Sequence, residues 1–225
     1  MVHLPEPVRQ YLRAVGIVGK RNIRTVHLRQ KGLFRMKQGG RWLAFTAEQY
    51  FTTDPPAFVW EAQVRFLPLL SFSVIDMFAN GHGKLQAKLL SRFTVADATG
   101  PETDQGELLR YLAECALFPT VFVSPYLEWE SIDARTAKVT LRLSSLNVSA
   151  WLHFDEESRL CRVTAQRYYL EKSGGFSLRE WSGQFSHYQP IAGIAIPARA
   201  SVMWRLESGD FEYFRGETTE IEHEM

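Results

Sequence analysis

Three charged residues in the middle of this sequence have the spacing that places them on one face of a helix. Glu107, Arg110 and Glu114 are three and four positions apart. If that face lines a pocket, the two carboxylates can perform acid–base chemistry, and buried charges of this kind mark functional sites. If the face is exposed to solvent, the same residues form a row of weak ion pairs. The spacing leaves both interpretations open.

No recognised catalytic motif occurs in the sequence. The hydrolase pattern G-x-S-x-G, the metalloprotease pattern H-E-x-x-H and the glycine patterns of phosphate and dinucleotide sites are missing. Gly81 and Gly83 lie between two predicted strands, where the helix that a dinucleotide site needs is lacking. None of the six histidines has a partner at metal-ligand spacing. The sequence therefore predicts no metal, no cofactor and no identifiable catalytic residue.

Bulky aromatic side chains offer a second kind of site. Tryptophans on predicted strands either fill a core or line a cavity for an apolar ligand, and the sequence does not decide between the two. Together with residues of the central helix they form a set of candidate ligand-binding residues, namely Trp60, Glu107, Arg110, Tyr111, Glu114, Trp151, Trp181 and Trp204.

Two helices are predicted, a short one near the start of the chain and one in the middle. Pro5 and Pro7 favour the start of the first helix. The second is expected over 103–118, where an apolar stripe recurs at helical spacing and Thr103 or Asp104 is the expected N-cap. This central helix carries the charged cluster, and its apolar stripe must be covered by another element.

The rest of the chain alternates apolar and polar residues, as the strands of a sheet with one wet face do. Turn-forming residues such as Asn80-Gly81 separate about ten to twelve predicted strands in hairpin succession. One strand is expected to end at Pro68, and another to span Lys84–Val95. So many sequential strands must curl rather than lie flat. We therefore expect an α+β fold in which a large curved antiparallel sheet, a half-barrel, wraps around the central helix.

Composition and length agree with a single globular domain over residues 1–225. Hydrophobic residues make up 45% and charged residues 23% of the chain, which argues against disorder. The formal net charge of +1 predicts no nucleic-acid partner. Cys115 and Cys161 have neither disulfide-framework nor zinc spacing, so we expect buried free thiols in a reducing cytoplasm.

The sequence predicts a cytoplasmic protein without a transmembrane segment. The N-terminal segment MVHLPEPVRQYL has no apolar core of signal-peptide length. No window approaches roughly 18 apolar residues free of charge, the length that a membrane-spanning helix needs.

Charge is distributed unevenly along the chain. The C-terminal segment is acidic, so the first and last strands are expected to be neighbours, or both to be solvated faces. Alternatively, residues 9–41 form a basic face that makes peripheral contact with an anionic membrane. Residues 1–41 contain one acidic residue, Glu6, against ten basic ones, namely Arg9, Arg13, Lys20, Arg21, Arg24, Arg29, Lys31, Arg35, Lys37 and Arg41.

Several sequence blocks resemble one bacterial family. LPEPVRQYL near the start, FVWEAQV at 58–64, DQGELLRYLAE at 104–114 and GDFEYFRGETTEIE at 209–222 are similar to the domain of unknown function 6544. The likeness covers nearly the whole chain. The family has no assigned activity, so the resemblance implies no catalytic residue. A sheet wrapped around a helix is also similar in outline to the half-barrel lipoprotein carriers of the bacterial envelope, which hold acyl chains.

Three functions follow from these patterns. The first is a binding module that holds an apolar or amphipathic small molecule, such as a lipid, between the sheet and the central helix. The second is an enzyme of unknown reaction that uses Glu107, Arg110 and Glu114, with Tyr111 or His187 as partners. The third is a protein-interaction domain that uses an exposed sheet edge or its charged ends. The oligomeric state is not indicated.

Overall fold

The computed structural model of the protein describes residues 3–67, 70–89, 93–171 and 173–225, and these residues form two α-helices and thirteen β-strands. The helices are α1 (Glu6–Ala14) and α2 (Pro101–Glu114), and two 3₁₀ segments follow α2 at Cys115–Leu117 and Pro119–Val123. The strands are β1 (Thr25–Phe34), β2 (Leu43–Thr53), β3 (Pro56–Leu67), β4 (Leu70–Ala79), β5 (His82–Leu89), β6 (Phe93–Ala98), β7 (Leu127–Ser131), β8 (Thr136–Leu143), β9 (Leu146–Phe154), β10 (Leu160–Leu170), β11 (Phe176–Ile191), β12 (Ile194–Leu206) and β13 (Gly209–Glu224).

All of these strands belong to one antiparallel sheet, in the order β6-β5-β4-β3-β2-β1-β13-β12-β11-β10-β9-β8-β7. Neighbours in sequence pair with each other, as short connections require, except β6 and β7, which are the two edges of the sheet. β1 also pairs with β13 to form a central seam. The sheet curls around α2, which contacts β3, β4 and β5 on one arm and β9 and β10 on the other. The predicted α+β half-barrel around a central helix is confirmed.

The sheet has one strand more than the upper end of the predicted range. The single strand expected over Lys84–Val95 was wrong, because this segment forms β5 and β6, which pair antiparallel with Leu89 opposite Phe93. Residues 90–92 lie outside the described residues, as does Pro68. In the sequence, residues 90–92 contain no glycine, proline or asparagine, so no strong turn signal separates the two strands.

The central helix begins and ends earlier than predicted. It spans Pro101–Glu114 rather than 103–118, and Gly100 is its N-cap in place of Thr103 or Asp104. Pro101 occupies the first helical position, where its missing N–H is not needed. After Glu114 the chain tightens into the 3₁₀ segments, so the apolar stripe continues past the α-helix in a different geometry.

The predicted turn at Asn80-Gly81 is confirmed, and it docks on the start of α2. Both residues have positive φ angles, 55° and 82°, as a two-residue hairpin turn of this composition requires. Asp104 Oδ1, free of a capping role, accepts a hydrogen bond of 2.7 Å from the Gly83 N–H. A Cβ on Gly83 would lie 2.6 Å from the Thr103 carbonyl oxygen, so this close approach needs glycine.

One half of the barrel is filled by a buried apolar core. The ring of Tyr11 on α1 lies 5.4 Å from Phe122 and 5.5 Å from Phe154, and Phe118 lies 4.8 Å from Phe51. All five side chains are buried. The apolar stripe of α2 joins this core through Leu108, Leu109 and Leu112.

The basic residues of β1 lie beside the acidic residues of β13, as the neighbouring-strand interpretation predicts. Arg29 forms ion pairs with Glu220 of β13 at 3.0 Å and with Glu48 of β2 at 2.9 Å. Lys31 lies 3.9 Å from Glu217. Carboxylates on the neighbouring strands therefore compensate the basic side chains of β1, and those of β13 do so from the far end of the sequence.

Both cysteines are free thiols. Cys115 is buried, as expected, but the expectation of a buried Cys161 was wrong: it is half-buried. It lies where the β9–β10 register shifts, between Leu160 and Arg162. None of the described helices is long and apolar enough to cross a membrane.

Two glycines face each other across the central seam. Gly32 of β1 pairs with Gly216 of β13. A Cβ on Gly32 would lie 2.1 Å from the Arg215 carbonyl oxygen and 2.7 Å from the Phe45 ring. A Cβ on Gly216 would lie 2.7 Å from the Phe214 ring. The glycines therefore let two aromatic rings lie flat against the sheet.

We expect Gly32→Ala to lower the free energy of unfolding by about 1–3 kcal/mol, because the new methyl group overlaps backbone and ring atoms. Gly183→Ala on β11 is the matched control, since the nearest atom to its added Cβ lies at 3.8 Å, an ordinary contact. Urea unfolding of both variants measures the difference. Equal stabilities would contradict the close packing at the seam.

Candidate functional site

A layer of polar side chains crosses the middle of the half-barrel. Three of its members occupy inward-facing positions on strands, and three project from one side of α2. Gln49, Asp76 and Glu107 are 0%, 6% and 4% exposed. The charged face of the helix is therefore turned into the barrel, which decides against a solvated row of ion pairs. We define the polar layer as Gln49, Asp76, Glu107, Arg110, Glu114 and Arg167.

Arg110 is the centre of this layer. Its Nε donates to Glu114 Oε1 at 3.0 Å, and its Nη1 donates to Asp76 Oδ2. Gln49 Nε2 donates to the other oxygen of Glu114 at 2.7 Å. The guanidinium also lies 5.1 Å from the centre of the Trp60 ring. Burial lowers the pKa of Arg110, but the charges of Glu114 and Asp76 outweigh it and raise that pKa.

Arg167 forms a second centre on the other arm of the sheet. Its Nη2 donates to Glu107 Oε1 at 2.9 Å. Its guanidinium lies 5.5 Å from the centre of the Trp181 ring and 5.9 Å from that of Trp204. The Arg167 side chain therefore lies between a buried carboxyl group and two tryptophans.

Glu107 is a buried carboxyl group whose pKa is raised. Burial raises the pKa of Glu107 well above its usual range, and the charge of Asp76 and a hydrogen bond with Asp76 raise it further, against the lowering effect of Arg167 and Arg110. Glu107 Oε2 and Asp76 Oδ1 are buried and have no other hydrogen-bond partner among the described residues. A proton on Glu107 would allow its buried carboxyl to donate a hydrogen bond.

In the other half of the barrel, several aromatic side chains of the concave face are only partly buried. Phe34, Tyr213 and Phe214 are half-buried although they pack against the core on the concave side. The ring centres of Phe34 and Tyr213 are 6.4 Å apart, as are those of Tyr213 and Trp204. Phe214 stacks on Phe45 at 5.2 Å. We define the aromatic trough as Phe34, Phe45, Val202, Trp204, Tyr213 and Phe214.

A β-bulge in β13 places two successive aromatic residues on the concave face. The register of β12 against β13 shifts between Val202 and Met203, which makes Tyr213 the extra residue. Regular alternation would direct either Tyr213 or Phe214 to the convex face. The Tyr213 oxygen instead accepts a hydrogen bond of 3.0 Å from Trp181 Nε1. The bulge therefore widens the aromatic lining and ties it to the tryptophan beside Arg167.

The structure brings six of the eight candidate ligand-binding residues together and separates two. Tyr111 lies on the other side of α2, and its hydroxyl donates to the Thr52 carbonyl at 3.0 Å within the filled half. Trp151 faces the convex side of the sheet, where Lys138 lies 5.9 Å from its ring. The six that meet are Trp60, Glu107, Arg110, Glu114, Trp181 and Trp204.

Sequence reasoning missed three members of the polar layer, Gln49, Asp76 and Arg167. Each is a polar residue at an inward position of a strand whose other inward residues are mainly apolar or aromatic. A break of this kind in an alternating pattern is the signal that finds them. Tyr213 carries no such signal, because the bulge that turns it inward is not visible in the alternation.

The arrangement is suited to recognising a molecule with an apolar body and a polar end. Among the residues that the structure describes, no group of three or more His, Cys, Asp or Glu side chains is placed to hold a metal ion. Two guanidinium groups instead lie against tryptophan rings beside the aromatic trough. Arg110 contacts Trp60, and Arg167 contacts Trp181 and Trp204. Small-molecule sites typically combine an apolar surface with a small number of polar groups.

The fold and site define a class of half-barrel proteins in which one curved sheet encloses a helix. The chain is similar in outline to the LolA superfamily protein NE2245 from Nitrosomonas europaea, with a TM-score of 0.49, 9% identity and coverage of 97% of this chain and 94% of that chain. It is similar to a DUF1329 family protein from Desulfovibrio piger, with a TM-score of 0.47, 11% identity and coverage of 98% and 94%. It is also similar to an outer membrane lipoprotein-sorting protein domain from Vibrio parahaemolyticus, with a TM-score of 0.43, 8% identity and coverage of 97% and 94%.

The chain belongs to the family of unknown function DUF6544, whose model matches residues 1–216. This match confirms the family that the sequence blocks indicate. No curated protein matches the chain.

We expect Arg110→Met to lower the free energy of unfolding by about 3–5 kcal/mol, because the carboxylates of Asp76 and Glu114 lose their shared cation inside the barrel. Arg205→Met is the control, since Arg205 pairs with Glu180 and Asp210 on the exposed convex face and its loss should change stability little. Urea unfolding followed by tryptophan fluorescence compares the two. Similar losses would show that the polar layer contributes no more than a surface ion pair.

We expect Glu107→Gln to become more stable relative to the wild type as the pH rises. The folded-state pKa of Glu107 lies above the ordinary value of 4.5, so between the two the unfolded chain has released a proton that the folded chain keeps. The wild type therefore loses stability with rising pH over this range. Glutamine cannot ionise, yet it can donate to Asp76 and accept from Arg167. Urea unfolding at a series of pH values tests this, and a difference that is constant with pH would contradict a protonated Glu107.

Proposed function

We propose that the protein is a binding module that holds an apolar or amphipathic small molecule in the aromatic trough, with the polar end of that molecule against the polar layer. One observation carries the proposal. Phe34, Tyr213 and Phe214 occupy concave positions and are only partly buried, whereas the aromatic residues at the filled end of the same barrel are buried.

The trough offers apolar surface that an apolar ligand chain would remove from water. Covering such surface stabilises a complex by about 25 cal/mol per Å² of apolar area. The rings of Phe45 and Phe214 pack against the two seam glycines and stack on each other, and Phe214 remains partly exposed. A chain-like molecule lying on these rings would contact aromatic faces along its length.

The polar layer supports an orientation for the ligand. Below the layer, the barrel is filled by the core around Phe51 and Phe118, so a ligand has no space to go deeper. Arg110 and Arg167 lie at the boundary, with side chains 15% and 13% exposed. The polar end of an amphipathic molecule would therefore meet guanidinium groups, and its apolar chain would point toward the mouth of the trough.

The proposal predicts that filling the trough abolishes binding. Val202→Trp places a large ring on the concave face, whereas Met203→Trp places the same ring on the convex face, one residue further along β12. The uncharged fluorescent probe N-phenylnaphthylamine brightens in apolar surroundings, so a titration reports binding directly. We expect the wild type and Met203→Trp to bind the probe with equal affinity, and Val202→Trp to bind it at least about tenfold more weakly.

Circular dichroism melting curves of both variants check that each is folded. A wild type that does not bind the probe, or two variants that bind it alike, would rule out the trough as the binding surface.

A further inference from the structure

We infer that the occupant of the trough is a single-chain amphiphile with an anionic head group, such as a fatty acid, and that Arg167 is the residue that binds the head. This inference rests on the proposed function and adds the chemistry of the ligand to it. Arg167, Glu107 and Asp76 carry the argument, each through a different observation.

Arg167 has hydrogen-bonding capacity that the protein does not use. A guanidinium group has five N–H donors. Within the described part of the chain, the hydrogen bond that Arg167 donates is the one to Glu107 Oε1. Its side chain is 13% exposed and none of its nitrogens is a buried donor without a partner. The ring of Trp204, which it contacts, also contacts Tyr213 within the aromatic trough. The unused donors are therefore available at the wall of the trough.

The charge of Arg167 also lacks a full counter-ion. Among the described residues, Arg110 forms ion pairs with two carboxylates, Asp76 and Glu114, whereas Arg167 forms one, with Glu107. Burial and the charge of Asp76 raise the pKa of Glu107 well above its usual range, and this favours a Glu107 that does not balance the charge of Arg167. An anionic head group at Arg167 would supply the missing negative charge and accept the unused N–H groups in a charge-assisted pair.

A cationic head group does not fit the same geometry. Asp76 Oδ1 and Glu107 Oε2 are inaccessible to solvent. The side chain of Glu114 is 22% exposed, but both of its oxygens already accept hydrogen bonds, one from Arg110 and one from Gln49. The groups that border the trough are the guanidinium groups of Arg110 and Arg167, which repel a cation.

The same geometry couples binding to protonation of Glu107. The charged or titratable groups that face Glu107 are Asp76 on β4, Arg110 on its own helix, Arg167 on β10 and Tyr213 on β13. Burial raises the pKa of Tyr213, so it stays neutral in the range where Glu107 ionises. An anion beside Arg167 favours the neutral form of Glu107. Affinity should therefore be high while Glu107 is protonated and fall as the pH rises and Glu107 ionises.

The first test compares head groups on one chain. Dodecanesulfonate, dodecanol and dodecyltrimethylammonium displace bound N-phenylnaphthylamine, each below its critical micelle concentration. We expect the sulfonate to bind roughly tenfold or more tightly than the alcohol, and the ammonium compound to bind most weakly. Arg167→Gln should remove this preference, and Arg162→Gln, which removes the same charge from the convex face of β10, should retain it.

The second test uses pH, with a ligand whose charge does not change. The affinity of the wild type for dodecanesulfonate should fall as the pH rises, and Glu107→Gln should bind it with an affinity that does not depend on pH. This variant keeps the argument testable even if Arg167→Gln fails to fold.

The outcomes separate this inference from the proposed function. If the uncharged probe binds but the sulfonate has no advantage over the alcohol, the anionic head group is wrong and the binding module stands. If wild type and Glu107→Gln show the same pH dependence, the role of Glu107 is wrong. If the uncharged probe does not bind, the proposed function itself fails.

Discussion

The pairing of Arg110 with Asp76 and Glu114 fixes the central helix inside the sheet, and the division of the half-barrel depends on it. Leaving either carboxylate buried without its cation would cost about 3–5 kcal/mol, so α2 must hold Arg110 toward β4 and Glu114 toward Gln49 of β2. With the helix held in this rotation, its apolar stripe faces the filled half and its charged side faces the trough. The two sides of one helix thus face different surroundings. One side faces a buried apolar core, and the other faces the partly buried side chains of the aromatic trough.

Aromatic residues serve this division in two ways. In the filled half they are ordinary core, as the contact of Phe51 with Phe118 illustrates. At the polar layer the tryptophans cover guanidinium groups with their faces and satisfy their own N–H groups, Trp60 through Gln30 at 3.1 Å and Trp181 through Tyr213 at 3.0 Å. Surroundings of low polarity strengthen each of these hydrogen bonds and make the loss of any one costly. The layer is therefore a rigid wall against which a ligand can be oriented.

The fold was largely predictable from the sequence, and the site was predictable in part. Strand alternation and the apolar stripe of the central helix are local patterns, so they predict the curved sheet, its helix and the charged face at Glu107, Arg110 and Glu114. The partners of those charges lie on strands that are distant in sequence. The residues around Asp76 or Arg167 do not indicate which side chain each will contact in the folded protein. Trp151 and Trp204 also look alike in sequence, because only the position of each strand in the sheet decides which face is concave.

The seam between β1 and β13 has a consequence for the order of assembly. Thr25 hydrogen-bonds to Glu224 across 199 residues of chain, whereas nearly every other strand pairs with its neighbour in sequence. Local hairpins can form early, because their loops are short and closing them loses little chain entropy. The seam requires the most distant strands of the chain to meet. We therefore expect the two arms of the sheet to form first and the β1–β13 pairing to form late and slowly, as non-local contacts do. Until then one edge of β1 and one edge of β13 are unpaired. The opposite charges of Arg29 and Glu220 on these edges favour the pairing of β1 with β13 over pairing with a strand of another molecule.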